Sequence, residues 1–241
     1  SNFIFHGGNC VMDWVLISLI AGLVSGICWL IGDIFLVGFD IEDEKYKDFL
    51  QNTSIKNKKM AILMLSGSVS RLRFGALIAN FSIPFMLFSI VSLYSLAEPS
   101  PWAAIAAVLL GIGFSLSPVA HVAFYYVGTL CKSLFEEHRL GKSGKSIEAL
   151  VNEYVRFMDI TWWAAIGITA LGWILYTVLI FLGKTAFPPL FGLLTPLVIS
   201  PAAGLLSREF KIGRPYLNGA GFNVGLTAFF LSALLFYFLS L

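Results

Sequence analysis

Apolar residues in this chain come in runs rather than at intervals within a polar background. Six runs, at 14–38, 74–97, 102–130, 160–182, 188–205 and 217–241, are rich in Leu, Ile, Val, Phe and Ala and almost free of charge. A helix needs about 20 apolar residues to cross roughly 30 Å of hydrocarbon, and each run is near or above that length. The pattern predicts an all-α fold: a polytopic membrane helix bundle with six transmembrane helices, in a single domain over 1–241. Pro188, Pro189, Pro196 and Pro201 crowd the fifth and shortest run. That run is expected to be broken or tilted, with the backbone groups freed by proline bonded to neighbouring helices. The first run is too long for a cleaved signal peptide and reads as a retained helix; Met12 just before it reads as close to the native start.

Charge sets the orientation. Fifteen of the sixteen Lys and Arg fall in the loops 39–73, 131–159 and 206–216, and the exception is Lys184. The positive-inside rule makes those loops cytoplasmic and places both termini outside. The turns Glu98-Pro99-Ser100-Pro101 and 183–187 are short, so helices 2–3 and 4–5 are antiparallel hairpins that close on the outer side. Trp14, Tyr94, Trp102 and Phe187 stand where an outer aromatic belt would lie, and Trp162 and Trp163 mark the inner end of the fourth run. Residues 60–72 are apolar but short and carry Ser66, Gly67, Ser68, Ser70 and Arg71. They read as a cytoplasmic extension of helix 2 or an interfacial helix, with a re-entrant segment as the alternative. Residues 146–158 read as an amphipathic lead-in to the fourth span.

Charged residues make up 12% of the chain, against about 25% in soluble domains, which puts it outside the globular range. A net charge of +2 gives no reason to expect nucleic acid as a partner; the basic loops would meet anionic lipid headgroups instead. Cys10, Cys28 and Cys131 fall at different levels of the bilayer and read as free thiols.

A charged side chain inside a span costs about 2.5–3.5 kcal/mol on insertion scales, so each one needs a reason. Asp33 lies about a turn and a half from the cytoplasmic end of span 1. His121, Asn80 and Asn223 fall at similar depth on spans 3, 2 and 6, and Tyr125 follows His121 by one turn. Turned inward, these groups would line an inner-leaflet pocket open to the cytoplasm. Each also has a structural reading: Asp33 paired with Arg71 or Arg73, His121 bonded to a carbonyl or hydroxyl, and the two Asn as interhelical bridges. Ser82-Ile-Pro84, Ser115-Leu-Ser117-Pro118, Thr195-Pro196 and Ser200-Pro201 pair a hydroxyl with a proline that frees a carbonyl. Tyr125, Tyr126, Trp163, Trp173 and Tyr176 are candidates for cavity walls. The spacings Gly22-xxx-Gly26 and Gly221-xxx-Gly225 predict close helix contacts, within the bundle or in a dimer.

Other motifs fail. Gly141-Lys-Ser-Gly-Lys-Ser146 mimics a phosphate loop but has Arg139 where the leading glycine must stand. Asn52-Thr-Ser54 is a glycosylation acceptor only in form, being on the cytoplasmic side. His6, His121 and His138 fall in different compartments, which leaves no histidine metal site. No metalloprotease signature lies on any span, and Ser117, one turn before His121, is more simply its hydrogen-bond partner than a nucleophile. No cofactor is implied.

The stretches Lys184-Thr-Ala-Phe-Pro-Pro189, Leu194-Thr-Pro196 and Gly219-Ala-Gly-Phe-Asn223, with Leu30-Ile-Gly-Asp33 and Leu36-Val-Gly38, resemble uncharacterised bacterial multi-pass proteins of six helices. That resemblance implies Asp33 and Asn223 as site candidates and no reaction; compactness and the lack of targeting signals suggest a bacterial inner membrane. Three functions are expected from the residues. The first is binding, sensing or transport of a small amphipathic or lipophilic molecule. The second is an intramembrane isomerase or hydrolase acting on a lipid or isoprenoid through Asp33 and His121. The third is a structural subunit without ligand. Small size and the lack of an internal repeat weigh against secondary transport by a monomer, and a homodimer would meet both objections.

Overall fold

A computed structural model describes residues 13–39, 43–217 and 219–240. His6, Cys10, Met12 and the terminal Leu241 lie outside the described residues. The chain runs through α1 (Trp14–Val37), the short α2 (Lys47–Gln51) and α3 (Lys58–Leu63), then the consecutive pieces α4 (Val69–Phe81), α5 (Ile83–Phe88) and α6 (Ile90–Ser95). The antiparallel pair α7 (Pro101–Arg139) and α8 (Lys145–Phe181) follows, then α9 (Pro196–Phe210) and α10 (Gly221–Leu239). Among the described residues, five segments are long and apolar enough to cross a membrane: α1, Val69–Ser95, α7, α8 and α10. The fifth apolar run is broken, as its prolines predict. It splits at Thr195 into a 3-10 turn over Pro189–Leu194 and the 15-residue α9, which extends to Phe210 and so into the expected loop.

In hydrocarbon, exposed apolar side chains are already at home, so helix association rests on packing and on satisfied polar groups. α1 is the axis of that packing and touches α4, α5, α6 and α10. Gly22 and Gly26 face α10 of the same chain: a Cβ at Gly22 would fall 2.4 Å from the Phe230 ring, and one at Gly26 3.1 Å from Thr227. The small-residue spacing on α1 thus works within the bundle. Gly32 and Gly75 bring α1 and α4 together so closely that a Cβ on either would lie within 2.9 Å of the other's carbonyl oxygen.

The breaks in α4–α6 are closed by hydroxyls. Ser92 N donates to Ser18 Oγ of α1 at 2.8 Å, and that hydroxyl donates to Phe88 O at 3.0 Å. One side chain from a neighbouring helix therefore takes the place of the missing Ser92-to-Phe88 helical bond. Ser25 donates likewise to Ser82 O at 2.9 Å beside Pro84. Ser82, Ser115 and Thr195 bond carbonyls of their own segments, at Ala79, Gly111 and Gly192, whereas Ser200 reaches Phe222 O on α10 at 3.4 Å.

At the end of the bundle away from the basic loops, the two tight turns are joined. Glu98 N donates to Lys184 O and Ala186 N to Leu96 O, at 2.9 and 2.7 Å. Lys184, the one cation outside the basic loops, pairs with Glu98 at 2.9 Å. Trp14, Tyr94 and Trp102 are exposed at this end. Phe187 is not part of such a belt: it is buried and stacked on Phe191 with centroids 4.3 Å apart, because the proline-led turn folds it back onto α10. Trp173 and Tyr176 are likewise core residues beside Phe229 and not cavity walls.

A second core sits at the basic end. α7 is 39 residues long, about 58 Å at 1.5 Å per residue, and outruns any bilayer core. On its projecting end and that of α8 lies the segment 43–68, which buries Phe49, Ile55, Met64 and Leu65 against Val127, Leu134 and Val151. Ser54 N donates to Glu148 and Lys56 N to Asn152, both at 2.9 Å, and His138 Nε2 lies 2.9 Å from Asp48. Residues 60–72 are thus not one continuous extension of the following helix. They form most of α3, a turn, and the Ser68-capped start of α4. The lead-in at 146–158 is continuous with α8 and buries Val151, Val155 and Met158.

The Ser18 bridge makes a direct prediction. Ser18→Ala should lower stability by about 1–3 kcal/mol, the usual effect of leaving buried backbone groups unpaired, in equilibrium unfolding by a denaturing detergent. Unchanged stability would remove the bridge as a support of the broken helix.

Candidate functional site

Asp33, near the C-terminal end of α1, does not form the ion pair with Arg71 that its sequence position allowed. Arg71 Nη2 instead donates to Ile34 O at 2.8 Å and Gly38 O at 3.3 Å and lies 4.0 Å from the Phe39 ring centre. A guanidinium placed there neutralises the carbonyl end of α1 and its dipole.

Asp33 turns to α7 and α10 instead. Asn223 Nδ2 donates to Asp33 Oδ2 at 2.6 Å and to Trp29 O at 3.3 Å. Both partners are acceptors, which fixes the orientation of the amide. His121 Nε2 stands 3.7 Å from Asp33 Oδ1. On the other side of the ring, Nδ1 is 3.0 Å from Ser117 O and 3.3 Å from Ser117 Oγ. A carbonyl can only accept, so Nδ1 carries the hydrogen and Nε2 faces the carboxylate. The Asp33–His121 separation exceeds a hydrogen bond, so a proton between them passes through an intervening group. Trp29, one turn before Asp33, packs against His121 and Phe114, with ring centres 5.6 and 5.9 Å away.

These residues stand on the wall of a cavity of about 350 Å³ enclosed by α1, α7, α8 and α10. Helical spacing explains the set. Trp29, Asp33 and Leu36 recur every third or fourth residue on α1, Gly113, Ser117, His121 and Phe124 do so on α7, and Asp159, Trp162, Ile166 and Thr169 on α8. Asn57 and Met60 reach it from the 43–68 segment, next to Asp159. Two residues of the wall, Trp29 and Asn223, each hold a buried side-chain atom, Nε1 and Oδ1, with no hydrogen-bond partner among the described residues.

Of the five candidates read from sequence, the fold gathers Asp33, His121 and Asn223 and leaves out two. Asn80 shares their depth but not the cavity. It follows Ala79, which packs on Gly32, and so is turned about 100° off that contact; both its amide atoms are buried and unpartnered. Tyr125 lies beyond the cavity toward the basic end, against the second core and beside Tyr126 at 5.4 Å. Trp29, Asp159 and Asn57 were not legible as site residues. Trp29 at i−4 from Asp33 is the one with a sequence signal; Asn57 comes from a loop whose docking only the fold reveals.

The five apolar segments define a helical membrane protein. The chain belongs to a family of unknown function, DUF6796, whose match covers residues 12–239. Comparison with curated proteins and with solved structures gives no match.

The Asp33–Asn223 bond ties α1 to α10, and a double-mutant cycle with Asp33→Leu and Asn223→Leu should show coupling of about 1–3 kcal/mol. Additive effects would mean that the bond contributes nothing to packing.

Proposed function

We propose that the chain binds a small amphipathic molecule in this cavity, for carriage or sensing. The polar group of the ligand would lie at Asp33, His121 and Asn223, and its apolar part against Trp29, Phe124 and Phe222. One observation carries the reading: a polar corner in which Asp33 and His121 face one another unbonded at 3.7 Å stands on the wall of an apolar cavity of about 350 Å³. That volume falls in the range of about 300–1,000 Å³ usual for small-molecule sites.

The proposal includes six crossings, the fifth made by the Pro189–Leu194 turn and α9, with both termini outside and the basic loops in the cytoplasm. It is supported by the charge asymmetry of the loops and by Glu98, which neutralises the one cation on the other side. In that orientation the cavity belongs to the inner leaflet of a cell membrane.

A second reading has its own support. Asp33 and His121 face one another across 3.7 Å on the wall of an aromatic-lined cavity, an arrangement in which a bound lipid or isoprenoid could exchange a proton with the pair. Turnover of a lipid by the purified chain, abolished by His121→Ala, would move the assignment from binding to catalysis.

Two experiments test the main reading. In detergent with native lipid extract, the wild-type chain should be thermally stabilised by a ligand, and Asp33→Asn and His121→Ala should each lose that response; no response in any of the three would sink it. For topology, single cysteines at Gly183 and Ser143, in a chain with Cys10, Cys28 and Cys131 replaced by Ala, should react with an impermeant thiol reagent from the outside and only after permeabilisation, respectively. The reverse pattern would invert the orientation.

A further inference from the structure

We infer that the cavity selects a protonated amine carrying an apolar tail, a lipophilic organic cation; the inference rests on the binding reading proposed for the same site. The charge of the wall comes first. Among the described residues no Lys or Arg lines the cavity, and its ionisable side chains are Asp33, Asp159 and His121. With His121 neutral the wall carries two negative charges, and with His121 protonated it carries one, so in neither state is the site positive.

The hydrogen-bond inventory points the same way. Asp33 Oδ1 is beyond hydrogen-bond reach of His121 Nε2 at 3.7 Å, and Nε2 has no hydrogen because Nδ1 carries it, so two adjacent acceptors face one another across the gap. An ammonium is a donor with no acceptor and fits that pair. A carboxylate or phosphate head would set acceptors against acceptors beside a carboxylate. Phe124, Trp162, Trp163 and Phe222 add aromatic rings to the wall, a residue type that attracts a cation and tolerates its alkyl tail.

Lys56, Lys58, Lys59 and Arg156 line a shallower basin that shares Asn57 and Asp159 with the cavity mouth. These cations are exposed, and at physiological ionic strength their field is screened over about 8 Å. They suit anionic lipid headgroups around the protein. Entry from the hydrocarbon side avoids them: Trp163 lines the cavity and is also 66% exposed on the outer face of α8.

The test uses decylamine, decanol and decanoate, which share a tail and differ in head charge at neutral pH, with binding to the full chain in detergent read by tryptophan fluorescence and thermal shift. Decylamine should bind at least about tenfold more tightly than the other two, the value of one charge-assisted hydrogen bond. Asp33→Asn should remove that preference and Asp159→Asn weaken it. Ile166→Trp, which fills the cavity, should abolish saturable binding of all three, and Ala120→Leu serves the same purpose if Ile166→Trp does not fold. Decanol or decanoate binding as tightly as decylamine, still blocked by cavity filling, would overturn the amine assignment and leave the pocket standing. Binding of all three that is indifferent to cavity filling would overturn both, and an amine preference that survives Asp33→Asn and Asp159→Asn would overturn the assignment to these carboxylates.

Discussion

A carboxylate inside an apolar helix bundle has to be met by a donor, and Asp33 finds one on a helix distant in sequence, with an imidazole from another facing it across 3.7 Å. Asn223 comes from α10 and His121 from α7, while Trp29 of α1 itself supplies the second acceptor that orients the Asn223 amide. Leaving such a charge without a partner would be strongly destabilising, so the position of Asp33 constrains how α1, α7 and α10 can be assembled. The cavity follows from that constraint: three helices converge on one side chain, and α8 closes the fourth wall without contributing to the bond network.

α1 can hold this central position because its surface is specialised by neighbour. Glycines face α10 and α4, where backbones approach most closely, and serines face the interrupted helix α4–α6. In lipid an interrupted helix is tolerated only if the freed amides and carbonyls find partners, and Ser18 supplies both a donor and an acceptor at one break. The same helix therefore stabilises a distorted neighbour at one end and presents a carboxylate at the other.

Most of this architecture was legible in the sequence where the argument depended on length, charge or proline. The apolar runs became helices, the fifth broke at its prolines, and the depth of Asp33, His121 and Asn223 brought them together. Depth is a one-dimensional coordinate, however, and it cannot distinguish the faces of a helix. Asn80 and Tyr125 have comparable depths and point elsewhere, and Phe187 sits at an interfacial level but folds inward on a proline-led turn. The docking of 43–68 onto the projecting ends of α7 and α8 had no periodic signal, because its order depends on contacts with Glu148 and Asn152 about a hundred positions away. Arg71 shows the same limit: proximity in depth suggested an ion pair, whereas its geometry made it a cap for the carbonyls of α1.

The gap between Asp33 and His121 is set by how each side chain is held. At the opposite end of the bundle, Lys184 and Glu98 close to 2.9 Å, as an ion pair that only joins two turns would. At the cavity the two side chains stop at 3.7 Å although each is firmly held from behind, the carboxylate by Asn223 and the imidazole by the Ser117 carbonyl. Those second partners prevent the pair from collapsing, and they keep one oxygen of Asp33 and one nitrogen of His121 turned toward each other across a space that a third group can enter.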